Sequence, residues 1–170
     1  MNKDILFFET QKFRQLWLLF LLLSVVGITF MAFFIQFAGA KQQIENPIDK
    51  AGLLISACLI VLITLLFYYV RLETQIRRDG IYVRFFPFHI KYKFYNWESL
   101  SKVYIRQYSA IKEYGGWGLR IGFFRKGKAL NVSGNKGLQL EFTNKKRLLI
   151  GTNKPDELTS ILSNLGQLKQ

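Results

Sequence analysis

The chain has 170 residues, 50% of them hydrophobic, with 24 Lys and Arg against 11 Asp and Glu for a formal charge of +13. A single cysteine, Cys58, excludes an intrachain disulfide and a thiolate metal cluster, and a single histidine, His89, excludes a typical histidine zinc site. Nearly all of the excess positive charge falls from Arg71 onward, so the C-terminal part of the chain favours anionic partners: lipid headgroups, nucleic acid or acidic proteins.

The first segment, 1–15, is short and mixed in charge, with Asp4 and Glu9 beside Lys3, Lys12 and Arg14. It reads as a cytoplasmic N-terminal stretch. Residues 16–37, LWLLFLLLSVVGITFMAFFIQF, carry no charge and no polar stripe, and at ~1.5 Å per residue they are long enough for a hydrocarbon core of roughly 30 Å. Residues 51–70, AGLLISACLIVLITLLFYYV, are uncharged as well. The expectation is therefore a pair of transmembrane helices joined by an external loop, 38–50.

Basic residues flank the outer ends of the two apolar runs, whereas Lys41 and Lys50 in the loop are balanced by Glu45 and Asp49. That asymmetry predicts a multi-pass protein of the plasma or inner membrane, with both its N-terminus and its C-terminal domain in the cytoplasm. Ala38-Gly39-Ala40 has the form of a signal-peptidase site. The apolar run before it is longer than a signal peptide's core, and the leader is acidic as well as basic, so a retained span is expected.

From Arg71 to the end the pattern changes to short alternating runs broken by turn residues. Asp79-Gly80 joins Thr74–Arg78 to Ile81–Phe86 as a hairpin. Further strands are expected at Lys91–Tyr95, Lys102–Gln107, around Leu119, Ile121 and Phe123, at Lys128–Val132, at Leu138–Phe142 and at Arg147–Ile150. Pro155, then Asp156 and Glu157, then Leu158, Ile161, Leu162 and Leu165 at helical spacing, predict a C-terminal helix with one apolar stripe. The expected fold class is α+β: a two-helix membrane hairpin, then an antiparallel barrel or sandwich of about seven strands in 71–170, capped by that helix. Only Arg71, Leu72 and Glu73 separate Val70 from the first expected strand, which would hold the domain against a bilayer.

Three stretches, Glu113 to Arg120, Asn131 to Leu138 and Leu149 to Leu158, resemble the bacterial pleckstrin-homology-like domain families of small membrane proteins. The layout of two N-terminal spans followed by one cytoplasmic domain is similar too. The resemblance implies a fold and a location, and no active site is carried over from it.

The side chains themselves point to binding rather than chemistry. His89 stands beside Pro87 without a Ser, Cys or carboxylate at triad spacing, and the acids are scattered, so no catalytic residue, metal ligand or cofactor site is expected. Gly134-Asn135-Lys136-Gly137 and Gly115-Gly116-Trp117-Gly118 lack the phosphate-loop form and read as turns. The basic residues are the informative chemistry. Arg77, Arg78 and Arg84 on the first hairpin are candidates to face anionic headgroups, and Trp117 and Arg120 are candidates for a partner surface. The expectation is a non-enzymatic, membrane-anchored interaction module that binds a membrane or cytoplasmic protein, anionic lipid, or both, and could self-associate. The alternative is a subunit or regulator of a transport or secretion complex that uses its apolar helices as the binding surface. A basic footprint is the weakest sign of nucleic-acid binding, and none is expected.

Overall fold

Nine strands, four α-helices and one 3-10 turn follow one another among the described residues. The computed structural model describes residues 5–13, 16–38, 47–122 and 126–169; inside the two long helices, side chains are described for 20–35 and for 51–52 and 54–69. The chain divides into two units, residues 1–12 with 70–170, and residues 13–69.

The smaller unit holds α1 (Leu16–Ala38) and α2 (Pro47–Tyr69). Phe13 meets Phe67 edge to face at 5.7 Å. The hydroxyls of Thr29 and Thr64 donate to the carbonyls of Val25 and Ile60, one turn back, which satisfies them within their own helices. Among the described residues no helix is long and apolar enough to cross a membrane. This finding corrects the expectation of a transmembrane hairpin at 16–37 and 51–70 and, with it, the multi-pass inner-membrane location. The proposed loop residues 39–46, Arg14 and Lys3 lie outside the described residues.

The larger unit begins with β1 (Ile5–Lys12), a strand where the sequence had suggested only a flanking segment. It pairs antiparallel with β2 (Arg71–Arg77), in a register that ends with Lys12 opposite Arg71. The 13–69 unit is therefore an insertion between two neighbouring strands. No linker follows Val70: Arg71, Leu72 and Glu73 are already strand. β3 (Gly80–Phe86) and β4 (Lys93–Asn96) complete a sheet of order β1-β2-β3-β4. The β2–β3 turn needs Gly80, because a Cβ there would collide with the carbonyl of Tyr95.

A 3-10 turn, Trp97–Ser99, carries the chain into the second sheet. Its Trp97 is buried and donates its indole N–H to the carbonyl of Arg78 at 3.0 Å. β5 (Leu100–Gln107) runs antiparallel to β8 (Lys136–Phe142), which pairs in turn with β9 (Arg147–Gly151). Between β5 and β8 the chain makes an excursion through α3 (Ala110–Tyr114) and the hairpin of β6 (Gly118–Ile121) and β7 (Lys128–Asn131). Because β5 already neighbours β8, the hairpin attaches on the far side of β9, where β7 pairs in parallel. The order is β5-β8-β9-β7-β6, not the wholly antiparallel meander of about seven strands expected.

Leu72, Ile76, Ile81, Val83 and Phe85 from the first sheet, and Val103, Leu138, Leu140 and Ile150 from the second, form the core. β9 is buried on both faces. Leu148 and Ile150 lie in register with Leu140 and Leu138, while Leu149 faces the other way and packs with Tyr108, Ala110, Tyr114 and Ala129. α4 (Pro155–Asn164) buries Leu158 and Leu162 and packs against β1, β5 and β8, one edge strand from the first sheet and the end of the second. Ile161 and Leu165, expected in the same stripe, are only half buried.

Candidate functional site

The three arginines expected to form one anionic-surface patch do not. Glu73 lies opposite Arg84 in the β2–β3 register, whereas Arg77 lies opposite Gly80. The four-residue offset from Glu73 to Arg77 sets the backbone positions of Arg84 and Arg77 roughly 13 Å apart along the strands. Arg77 donates to Gln75 Oε1 at 2.7 Å and rests over the Tyr82 ring, 4.5 Å from its centroid. Arg78 is exposed in the turn.

Arg84 is committed elsewhere. Its Nε and Nη2 donate to Glu73 Oε2 at 2.9 and 2.6 Å, its guanidinium stacks 4.6 Å from the Tyr92 ring centroid, and the Tyr92 hydroxyl donates to the same oxygen. Arg71 Nε approaches Glu73 Oε1 at 2.7 Å. Burial pushes the Glu73 carboxyl upward, but the Tyr92 hydroxyl and the Arg84 and Arg71 guanidiniums outweigh it and hold the group below the ordinary carboxylate range. This is a structural knot on the sheet face, in which one carboxylate is shared by two guanidiniums.

Trp117 and Arg120 are brought together. Trp117 packs against the cluster of Tyr108, Ala110, Tyr114, Ala129 and Leu149, so it helps cover the second face of the β9 sheet. Its carbonyl accepts from Arg120 Nε at 3.0 Å. Arg120 itself is exposed on β6, the end strand of its sheet, between Leu119 at 47% and Ile121 at 77% exposure. Beneath this segment Glu113 is held by Arg106 at 2.9 Å, by Lys126 at 3.6 Å and by the Ser109 backbone N–H at 2.9 Å. Burial pushes its carboxyl upward, and the Arg106 hydrogen bond with the Ser109 N–H and Lys126 brings it net below the ordinary range. The network ties α3 to β5 and to Lys126.

One feature was not legible as a unit in the sequence: a cleft of about 560 Å³ between β4, the start of β7 and the β8–β9 turn. Its floor is apolar. Tyr95 and Phe142 meet at 5.4 Å between ring centroids, and Ile121 and Leu148 extend the surface. Its rim is Lys128, Lys145, Lys146 and Arg147, with no acid among the lining residues. Arg147 is paired with Glu141 at 3.3 Å, but among the described residues Lys128, Lys145 and Lys146 have no ion-pair partner.

The turn that presents them is tightly built. Lys145 N–H donates to the Phe142 carbonyl, Phe142 N–H to the Lys146 carbonyl and Thr143 N–H to the Ser99 carbonyl, while Lys146 N–H is capped by Asn144 Oδ1 at 3.1 Å. Lys145 adopts φ 64°, the one positive value outside glycine among the described residues. His89 feels the same field: burial, then Lys93 and Lys128, hold its imidazole below the ordinary histidine value. The run Lys145-Lys146-Arg147 is contiguous in the sequence, but nothing in sequence order ties it to Tyr95, Ile121 or Lys128. Phe123, expected in the neighbouring strand, lies outside the described residues.

Among the described residues no group of three or more His, Cys, Asp or Glu side chains is arranged to hold a metal ion. No family profile, no curated protein and no solved structure matches the chain.

Proposed function

We propose that the β-rich unit is a non-catalytic, pleckstrin-homology-like interaction module that binds a partner protein along β6. The observation that carries this reading is the free edge of β6. It ends its sheet and exposes Leu119, Arg120 and Ile121 together, beside a Trp117 whose ring is fixed by the cluster beneath it. An exposed strand edge offers unpaired backbone groups to an incoming extended segment, and alternate side chains then supply selectivity. With a chain charge of +13, that segment is acidic; a second copy would set Arg120 against like charge. Arg77 and Arg78 remain available to an anionic partner, including headgroups, whereas Arg84 is neutralised by Glu73.

The test is site-specific photo-crosslinking in cells, with a benzophenone side chain placed at Leu119, at Ile121 or, as control, at Thr159 on α4. Adducts of one defined mass are expected from the β6 positions only, and Arg120→Glu should remove them. Adducts from all three positions alike, or none from β6, would sink the assignment.

A second reading places the binding surface on α1 and α2, as in a subunit or regulator of a larger complex. It is favoured by the exposure of Phe20, Ile28, Phe30, Phe34, Leu54 and Leu62, because apolar surface of that extent marks an interaction site. Phe30→Ser with Val61→Ser, in a groove of about 470 Å³ between the helices, should then release the partner while β6 crosslinks persist.

A further inference from the structure

We propose that the cleft between β4 and the β8–β9 turn is a binding site for a small amphipathic anion, a monomeric molecule with one phosphate or carboxylate on an apolar chain. The apolar part lies on Tyr95, Phe142 and Ile121, and the anion sits among Lys128, Lys145 and Lys146. Ile121, the last residue of β6, belongs to both surfaces, whereas the lysine rim and the Tyr95–Phe142 floor belong to the cleft and not to the β6 edge.

Three observations converge on it. The volume, about 560 Å³, falls within the range of roughly 300–1,000 Å³ usual for small-molecule sites, and the combination of an apolar floor with a few convergent charged groups is typical of them. The rim charge is uncompensated: Arg147 pairs with Glu141, but among the described residues Lys128, Lys145 and Lys146 have no carboxylate partner, and no acid lines the cleft among them. Cations brought together without a counter-charge repel one another, and an anion relieves that repulsion. The third is backbone conformation. Lys145 occupies a left-handed position that glycine or asparagine adopts at less cost, and in this turn the residue there is a lysine.

The chain length of the apolar group follows from the cleft's floor rather than from a tunnel, so selectivity should rest mainly on the pairing of anion and apolar surface. An anion alone would gain only the exposed lysines. A neutral amphiphile would leave them unpaired.

The experiment is titration of the full chain with dodecyl phosphate below its micellar concentration, read by calorimetry and by the ring resonances of His89. That residue is the only histidine and senses Lys128 on the rim. Saturable binding that shifts the His89 signals is expected. Lys145→Gln with Lys146→Gln should weaken it by about tenfold or more, as loss of charge-assisted contacts does. Ile121→Ser, an exposed position that leaves the fold intact, should weaken it severalfold. Dodecyl maltoside should bind at least about tenfold less tightly, and inorganic phosphate should not compete at equal concentration. The proposal is overturned if inorganic phosphate binds equally well, if the double lysine variant binds normally, or if the His89 signals do not move. It is equally overturned if only an acidic peptide or anionic vesicles bind and the monomeric amphiphile does not.

Discussion

The carboxylate of Glu9 accepts the backbone N–H of Asn153 at 2.8 Å, across 144 residues of sequence. Its other oxygen accepts from the Thr152 hydroxyl at 2.7 Å, and Gln11 next to it donates to the Gly151 carbonyl at 2.7 Å. The first strand of the chain is thereby tied to the turn between β9 and α4. Phe7, 1% exposed, adds an apolar anchor to the same face.

It follows that residues 71–170 alone do not constitute the domain. Removing β1 deletes a buried Phe, a loss of about 3–5 kcal/mol by itself, from a domain whose total stability is on the order of 5–15 kcal/mol. Gly151, Thr152 and Asn153 also lose their partners. Urea unfolding followed by tryptophan fluorescence should show little or no cooperative transition for that fragment. Because Lys12 and Arg71 are register partners, residues 1–12 joined to 71–170 through Asn-Gly should form a direct hairpin and restore the transition. Equal stability of the fragment and the joined chain would contradict the role given to β1.

At the other end of the unit, Leu162 is fully buried on α4, against the half-buried Ile161 beside it. Leu162→Asp should cost about 3–5 kcal/mol, as an unpaired buried charge does. Ile161→Asp should cost well under half as much. Thermal denaturation of the two variants distinguishes them, and similar losses would mean that α4 packs through a different face.

These elements differ in how openly the sequence displays them. The Asp79-Gly80 hairpin and the Pro155 helix are local signals, and both elements lie where those signals put them. β1 is hidden because its pattern is inverted. Glu9 and Gln11 face inward and hydrogen-bond to β9 and its turn, while Phe8 faces outward at 49% exposure, so alternation of apolar and polar residues points to the wrong face. The parallel β7–β9 pair and the basic cleft depend on contacts between segments far apart in the chain, which periodicity does not register. The two apolar runs are helical, but hydropathy alone carried their reading further than the described helices bear out. Arg84 shows the limit of reading charge from sequence: its partner Glu73 lies 11 residues away and directly across the hairpin.

Glu73 also sets a pH dependence. Its folded pKa is depressed from the ordinary 4.5, so the unfolded chain binds the proton more tightly. The stabilisation is fully present above the ordinary carboxylate range and is lost as pH falls through the lower folded value. Glu73→Gln at neutral pH leaves Arg84 and Arg71 without a counter-charge. Since both guanidiniums are partly exposed, the cost should be about 1–3 kcal/mol. The gap between parent and variant should be constant from pH 8 to about 5 and narrow as pH falls below the ordinary carboxylate range. A gap unchanged across the whole range would mean that the Glu73 charge contributes nothing to stability.

Lys145 separates stability from binding in a single substitution. At φ 64° a residue with a Cβ is strained, and glycine relieves that strain at the expense of a more flexible unfolded chain. The hydrogen bonds of the turn, from Lys145 N–H to the Phe142 carbonyl and from Phe142 N–H to the Lys146 carbonyl, involve backbone only and survive the change. Lys145→Gly should therefore stabilise the protein, by about 0.5–1 kcal/mol, which raises Tm by a few degrees. If the lysine is kept there to hold an anion, the same variant should bind dodecyl phosphate several times more weakly, whereas Lys145→Arg should retain binding without the gain in stability. A purely structural lysine would give the rise in Tm with binding unaltered, and a turn that needs its side chain would give a fall in Tm.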